Sequence, residues 1–176
     1  MEQTATRTPP AATGPGYATR IGHAHLKVRD LDRAVAFYTR FFQLHLVERE
    51  GAQYAFLSGG AFHHEIALQN VGPRAPQPPP YGTALYHIAF EVPDRAALAR
   101  AYQALTAACI PVATVDHLIS WALYFDDPDG NGLELYCDTR ADPDGAPLWH
   151  GHNVPLPPAR LLAALESHAV EPPARP

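Results

Sequence analysis

Four residue pairs in this chain stand at one constant spacing of 64 positions: His23 with His87, Val28 with Val92, Asp30 with Asp94, and Tyr38 with Tyr102. One such match is chance; four at a single offset mark a duplicated unit. Each copy opens on an alternating segment, His23-Ala-His-Leu-Lys-Val28 and His87-Ile-Ala-Phe-Glu-Val92. Each then passes through an aspartate into a stretch with apolar residues at helical spacing. Leu31, Val35, Phe37 and Tyr38 carry that spacing in the first copy, and Leu98, Tyr102 and Leu105 in the second. Strand-like runs follow at 44–49, 54–57 and 64–69, then at 112–115, 121–125 and 133–137. Both copies therefore read as βαβββ. The expected fold is α+β, with two tandem βαβββ modules forming a mixed-sheet cup, because neither half could bury its sheet alone.

Proline marks the boundaries. Residues 1–18 are mostly Thr, Ala, Pro and Gly and form an expected flexible leader. The Pro-rich stretch beginning at Gly72 excludes helix and central strand. The expected organisation is a first module at 19–71, a linker at 72–82, a second module at 83–140 and a Pro-rich tail at 141–176. Within the tail, Leu161, Leu162 and Leu165 predict one short helix. A net charge of -5 without Lys/Arg clusters argues against nucleic acid and anionic membrane surfaces. No apolar run reaches membrane-spanning length, and the N-terminus lacks the apolar core of a signal peptide. Two cysteines make no disulfide framework, so a cytoplasmic protein is expected.

His23 and His87 hold equivalent places, and a pseudo-two-fold axis between the modules would let them face each other. Glu134 is the third candidate. It lies between Leu133 and Leu135, where a carboxylate is costly to bury unless paired or metal-bound. Two imidazoles and one carboxylate with open positions beside them suit Fe(II), and Mn(II) accepts the same ligands. Taken singly, each His reads as a hydrogen-bonded sheet residue and Glu134 as the partner of an arginine. Taken together, at positions consistent with the repeat, they read as a metal site. The run Asp126-Asp-Pro-Asp-Gly-Asn-Gly132 is turn chemistry that sets the direction of Glu134.

The His-led first strands, this turn and the glutamate two residues beyond it resemble the vicinal oxygen chelate superfamily over residues 21–140. That superfamily includes glyoxalase I, fosfomycin-resistance proteins, methylmalonyl-CoA epimerase and type I extradiol dioxygenases. Further residues are similar to the extradiol dioxygenases. His64 resembles the family's active-site acid/base, His117 its histidine near the substrate hydroxyls, and Tyr124 its tyrosine donating to the ring oxygen. The tail, with Leu148-Trp149 and Leu161-Leu-Ala-Ala-Leu165, resembles small catechol 2,3-dioxygenase-like proteins. The resemblance implies ring cleavage of a small aromatic diol by O2 with Fe(II), and a homodimer or higher homo-oligomer.

Two other readings stay open. A glyoxalase- or epimerase-type lyase or isomerase needs a fourth ligand, normally a glutamate late in the first module. Overlaying the two modules puts Ala67 opposite Glu134, while Glu65 lies two residues away on the same strand face. His25 shares a face with His23, but the repeat pairs His87 with His23, which leaves His25 beside the ligands or in the core. A metal-free, drug-sequestering protein of the same fold would lack the triad.

Overall fold

The computed structural model describes residues 20–168, apart from Ala61, Pro78, Pro80 and Tyr81. The expected leader at 1–18 lies outside the described residues. The first repeat forms β1 (Ala24–Val28), α1 (Leu31–Phe42), β2 (His45–Glu50), β3 (Tyr54–Ser58) and β4 (Ile66–Asn70). The second forms β5 (Ile88–Glu91), α2 (Arg95–Ala107), β6 (Ala113–Asp116), β7 (Ser120–Asp126) and β8 (Gly132–Asp138). A two-residue strand, β9 (Val154–Pro155), and α3 (Pro158–His168) complete the chain. The repeated aspartates are helix caps. Asp30 accepts from the Arg33 amide at 3.0 Å and Asp94 from the Ala97 amide at 2.6 Å, each satisfying an N–H that a first turn leaves unpaired.

The fold is α+β with two mixed sheets. The first sheet has the order β1-β4-β3-β2 and the second β5-β8-β7-β6-β9. In both, the first strand runs parallel to the last of its module, and the remaining pairs are antiparallel. Two details differ from the sequence expectation. His23 and His87 sit one residue ahead of β1 and β5, and His64 lies in the turn before β4 rather than in the strand. The ladder between β3 and β4 begins only at Leu57 opposite Ile66, because the chain needs the intervening residues to reverse.

Alternation along the strands sends Leu26, Val28, Ile66 and Leu68 from one sheet, and Leu123, Phe125, Leu133 and Leu135 from the other, into a single core. The helices complete that core with Leu31, Ala34, Phe37 and Tyr38 from α1 and Leu98, Ala99 and Leu105 from α2. Phe42 of α1 reaches across to Phe90 and Phe125, with ring centroids 4.4 and 6.0 Å apart. The helices thus fill the space between the two apolar sheet faces, and the polar faces look away from it.

Two smaller features lock the halves. The Tyr38 hydroxyl donates to Asp127 at 3.0 Å in a buried setting, and Arg29 and Arg33 both reach Asp129 at 2.9 and 2.7 Å. Burial and the neighbouring Asp127 hold the Tyr38 phenol well above its ordinary range, so it remains a donor. The tail also packs into the core. Leu156 and Leu161 are fully buried, worth about 1.5–3 kcal/mol each relative to exposure. The guanidinium groups of Arg95 and Arg160 both lie over the Trp121 ring, 4.1 and 4.7 Å from its centroid. Among the described residues, no helix is long and apolar enough to cross a membrane.

Candidate active site

Glu134 owes its position to the turn before it. One carboxylate oxygen of Asp127 accepts from the amides of Asp129 and Asn131, and the other from the Asn131 side chain, so a single residue ties the turn together. Gly130 takes φ +83 at the tip, where other residues would be strained. At Gly132 an added Cβ would lie 2.2 Å from the Tyr86 carbonyl oxygen. Only glycine lets the start of β8 close onto the residues leading into β5. That contact brings His87 beside Glu134.

The registers do the rest. Tyr124 stands directly opposite Glu134 in the β7–β8 ladder, which explains their spacing in the sequence. The Tyr124 hydroxyl donates to Glu134 Oε1 at 3.0 Å, and His87 Nε2 lies 2.9 Å from Glu134 Oε2. His117 Nε2 lies 2.8 Å from the Tyr124 oxygen, and His117 Nδ1 lies 2.5 Å from Asn153 Oδ1. Five side chains thus form one continuous line: Asn153, His117, Tyr124, Glu134 and His87. Burial first, then the Glu134 charge, holds the Tyr124 phenol well above its ordinary range. Beside the line opens a cleft of about 800 Å³ walled by Phe37, Tyr86, Ile110, Pro111 and Val112. Its walls are mainly apolar, with His87, Tyr124, Asp126 and Asp127 also lining it, a usual composition for a small-molecule site.

The first module carries the other candidates. His23 and His64 have ring centroids 4.6 Å apart, and His64 Nδ1 lies 3.0 Å from His63 Nδ1. Partial desolvation, followed by the charges of His23 and His63, pushes the His64 imidazole below its ordinary value. Ala67 stands opposite His25 in the β1–β4 ladder as Glu134 stands opposite Ala89 in β5–β8, so the two positions are structurally equivalent. Glu65 accepts from the Gly59 amide at 2.9 Å and braces the β3–β4 turn. His25 is exposed on the polar face, edge-on to Tyr54, and is not a core residue.

An imidazole and a carboxylate meeting as His87 and Glu134 do have the donor chemistry for Fe(II) or a similar ion. His87 Nδ1 is buried without a hydrogen-bond partner, an arrangement costing about 1–3 kcal/mol. Glu134 is only 8% exposed and gives both oxygens to Tyr124 and His87. The expected third donor is not with them. His23 lies beside His64, and among the described residues no three His, Cys, Asp or Glu side chains converge as an ion requires. One chain therefore assembles two of the three expected ligands. The fit to a metal ion is incomplete within a single copy.

Asn153 and Trp149 belong to this site although the sequence did not mark them as such. Trp149 Nε1 donates to the His152 carbonyl at 2.7 Å and to Asn153 Oδ1 at 3.2 Å. A lone asparagine in a Pro-rich tail offers no periodic signal, so only the pairing of β9 with β6 reveals it.

Residues 20–135 match the family model described as Glyoxalase/Bleomycin resistance protein/Dioxygenase superfamily. A catechol-2,3-dioxygenase of Bacillus subtilis (strain 168) is 35% identical over 68% of this chain and 42% of its own length. A biphenyl-2,3-diol 1,2-dioxygenase 3 of Rhodococcus globerulus is 32% identical over 71% of this chain and 66% of its own. The match thus spans less than two thirds of either relative. The crystal structure of lactoylglutathione lyase from Agrobacterium tumefaciens superposes with a TM-score of 0.53 at 26% identity, covering 70% of this chain and 96% of that one. With the repeat, the two mixed sheets and the family match in agreement, this chain belongs to the glyoxalase/bleomycin resistance protein/dioxygenase superfamily.

Proposed function

We propose that this protein cleaves the ring of a catechol-type vicinal diol with O2, using Fe(II) or Mn(II) held by His23, His87 and Glu134. The observation that carries the reading is the line His117–Tyr124–Glu134–His87 beside an apolar cleft. The cleft suits a flat, apolar ring, and the line supplies proton donors and acceptors at its edge. When bound, the ion supplies Lewis acidity and a template on which diol and O2 are brought together. The Tyr124 hydroxyl hydrogen-bonds a substrate oxygen. His117 holds or returns a proton through Tyr124. His64, its proton affinity lowered by desolvation and then by neighbouring imidazoles, accepts a substrate proton and later delivers it. Relatives named for catechol and biphenyl-diol dioxygenases support this reading. Two free thiols, Cys109 and Cys137, suit a reducing, cytoplasmic setting.

His23 and His64 neighbour each other in the first module, while His87 and Glu134 pair in the second. The two polar faces look outward, and large apolar side chains beside both half-sites lie bare, with Ile21 91% and Tyr86 85% exposed. A second copy of the chain answers both needs. Joined two-fold, the His23 face of each copy meets the Glu134 face of the other, and two sites are completed at once.

The test is anaerobic loading with Fe(II), followed by a panel of catechols under O2 watched for the yellow of ring fission. Methylglyoxal with a thiol, run in parallel, tests the lyase reading, which gains if Glu65 proves to be a ligand. The shared site has its own test. His23→Ala and Glu134→Ala, each inactive alone, should recover roughly a quarter of the activity when unfolded together and refolded as a mixture, because half of the dimers are mixed and each carries one intact site. A mixture as inactive as its parts rejects the shared site.

A further inference from the structure

The tail of the chain decides which nitrogen of His117 carries a proton. An indole N–H can only donate, and Trp149 Nε1 points at Asn153 Oδ1 from 3.2 Å. Trp149 is itself held by its bond to the His152 carbonyl. The amide oxygen of Asn153, not its NH2 group, therefore faces the space shared with His117. An amide oxygen only accepts, so His117 Nδ1, 2.5 Å away, must be the protonated nitrogen. Nε2 is left as the position where a proton can come and go. It lies 2.8 Å from the Tyr124 oxygen.

Tyr124 has one hydroxyl proton and two neighbours, His117 Nε2 and Glu134 Oε1. With His117 neutral, the two acceptors compete for that proton. With a second proton on His117, both contacts become hydrogen bonds and all point toward Glu134.

We infer that Asn153 is a positioning residue that fixes His117 in its Nδ1–H form, so that Nε2 exchanges a proton with Tyr124, and that the C-terminal segment is thereby part of the site. The segment is anchored for this purpose. Asp116 and Val115 of β6 pair with Val154 and Pro155 of β9, and Thr114 donates to the Leu156 carbonyl at 2.6 Å. The Asp116 carboxylate accepts both from Arg160 of α3 at 2.8 Å and from the Leu118 amide at 2.8 Å. One carboxylate thus braces both the turn that aims His117 and the tail that brings Asn153. In turnover, a proton leaving a substrate hydroxyl for the Tyr124 oxygen is matched by the Tyr124 proton passing to Nε2, with no change in electron count.

The role in turnover rests on the ring-cleavage reading; the tautomer does not. Side-chain ¹⁵N NMR of the full chain, without metal or diol, reads the tautomer directly. The expected result is Nδ1–H alone for His117 in the wild type, a mixture with Nε2–H in Asn153→Leu, and Nδ1–H again in Asn153→Asp, whose carboxylate also accepts. In the iron-loaded protein, Asn153→Leu should lower kcat roughly ten- to hundredfold, while Asn153→Asp recovers most of it. If Asn153→Leu fails to fold, Trp149→Phe, which frees the amide to turn over, is measured in its place. Nε2–H in the wild type, or an unchanged tautomer in both Asn153→Leu and Trp149→Phe, overturns the inference. A tautomer that shifts as expected in a protein that cleaves no diol leaves the inference standing and removes the ring-cleavage reading instead.

Discussion

Ala67 and Glu134 occupy the same place in their two modules, each opposite a strand residue two beyond the leading histidine. Around Glu134, the second module has gathered a tyrosine across the ladder, a histidine beyond it and an asparagine from the tail. Around Ala67, the first module has exposed histidines and the half-buried His64, with Glu65 occupied in bracing its own turn. The two tyrosines that matter most differ in the same way. Tyr38 spends its hydroxyl on Asp127 in the core, whereas Tyr124, which lines a cleft, directs its hydroxyl at Glu134. Duplication supplies two equal scaffolds, and the second carries the longer hydrogen-bonded line.

The strongest way to break this contrast is to remove the proposed ligands. Glu134→Ala and His87→Ala should each lower metal affinity roughly a thousandfold or more, since losing one of three donors removes several kcal/mol of binding, and activity should fall with it. Iron content measured after dialysis checks this. Retention of iron in both variants would mean that the wired module is not a metal site. Tyr124→Phe should keep its iron and lose about a hundredfold in kcat, because only a proton donor is removed. Single-turnover kinetics separate this from a binding defect. Tyr38→Phe should do the reverse, costing about 1–2 kcal/mol of stability in denaturant unfolding with kcat unchanged. A drop in kcat there would show that the two tyrosines are not as different as their surroundings suggest. Glu65→Ala has the smallest expected effect, under about 1 kcal/mol, since its partner amide is exposed and can turn to water. Loss of metal in that variant would make the first module a ligand donor through a carboxylate and favour the lyase reading.

Much of the architecture was legible because its signals are local. The 64-residue offset, the capping aspartates and the alternation of apolar residues depend on neighbours within a few positions, so the βαβββ order follows from them. The Asp-Pro-Asp-Gly-Asn-Gly turn also encoded its own shape, through the Asp127 side chain and the freedom of Gly130. His64 was less legible. It reads as strand because its apolar neighbours alternate, yet it lies in a turn, since the ladder begins where two chains can first pair.

The sequence by itself determined the two modules, the core that joins them and which residues are candidates to hold a proton or a metal. Tertiary structure alone decided which of those residues meet. His87 reaches Glu134 because Gly132 permits a close backbone approach, while His23 and Glu134 stay apart because the helices pack between the sheets and turn the polar faces outward. Asn153 reaches His117 only through a strand pair joining residues 38 or more positions apart. Such contacts depend on the summed burial of many distant side chains, and no local pattern records that sum.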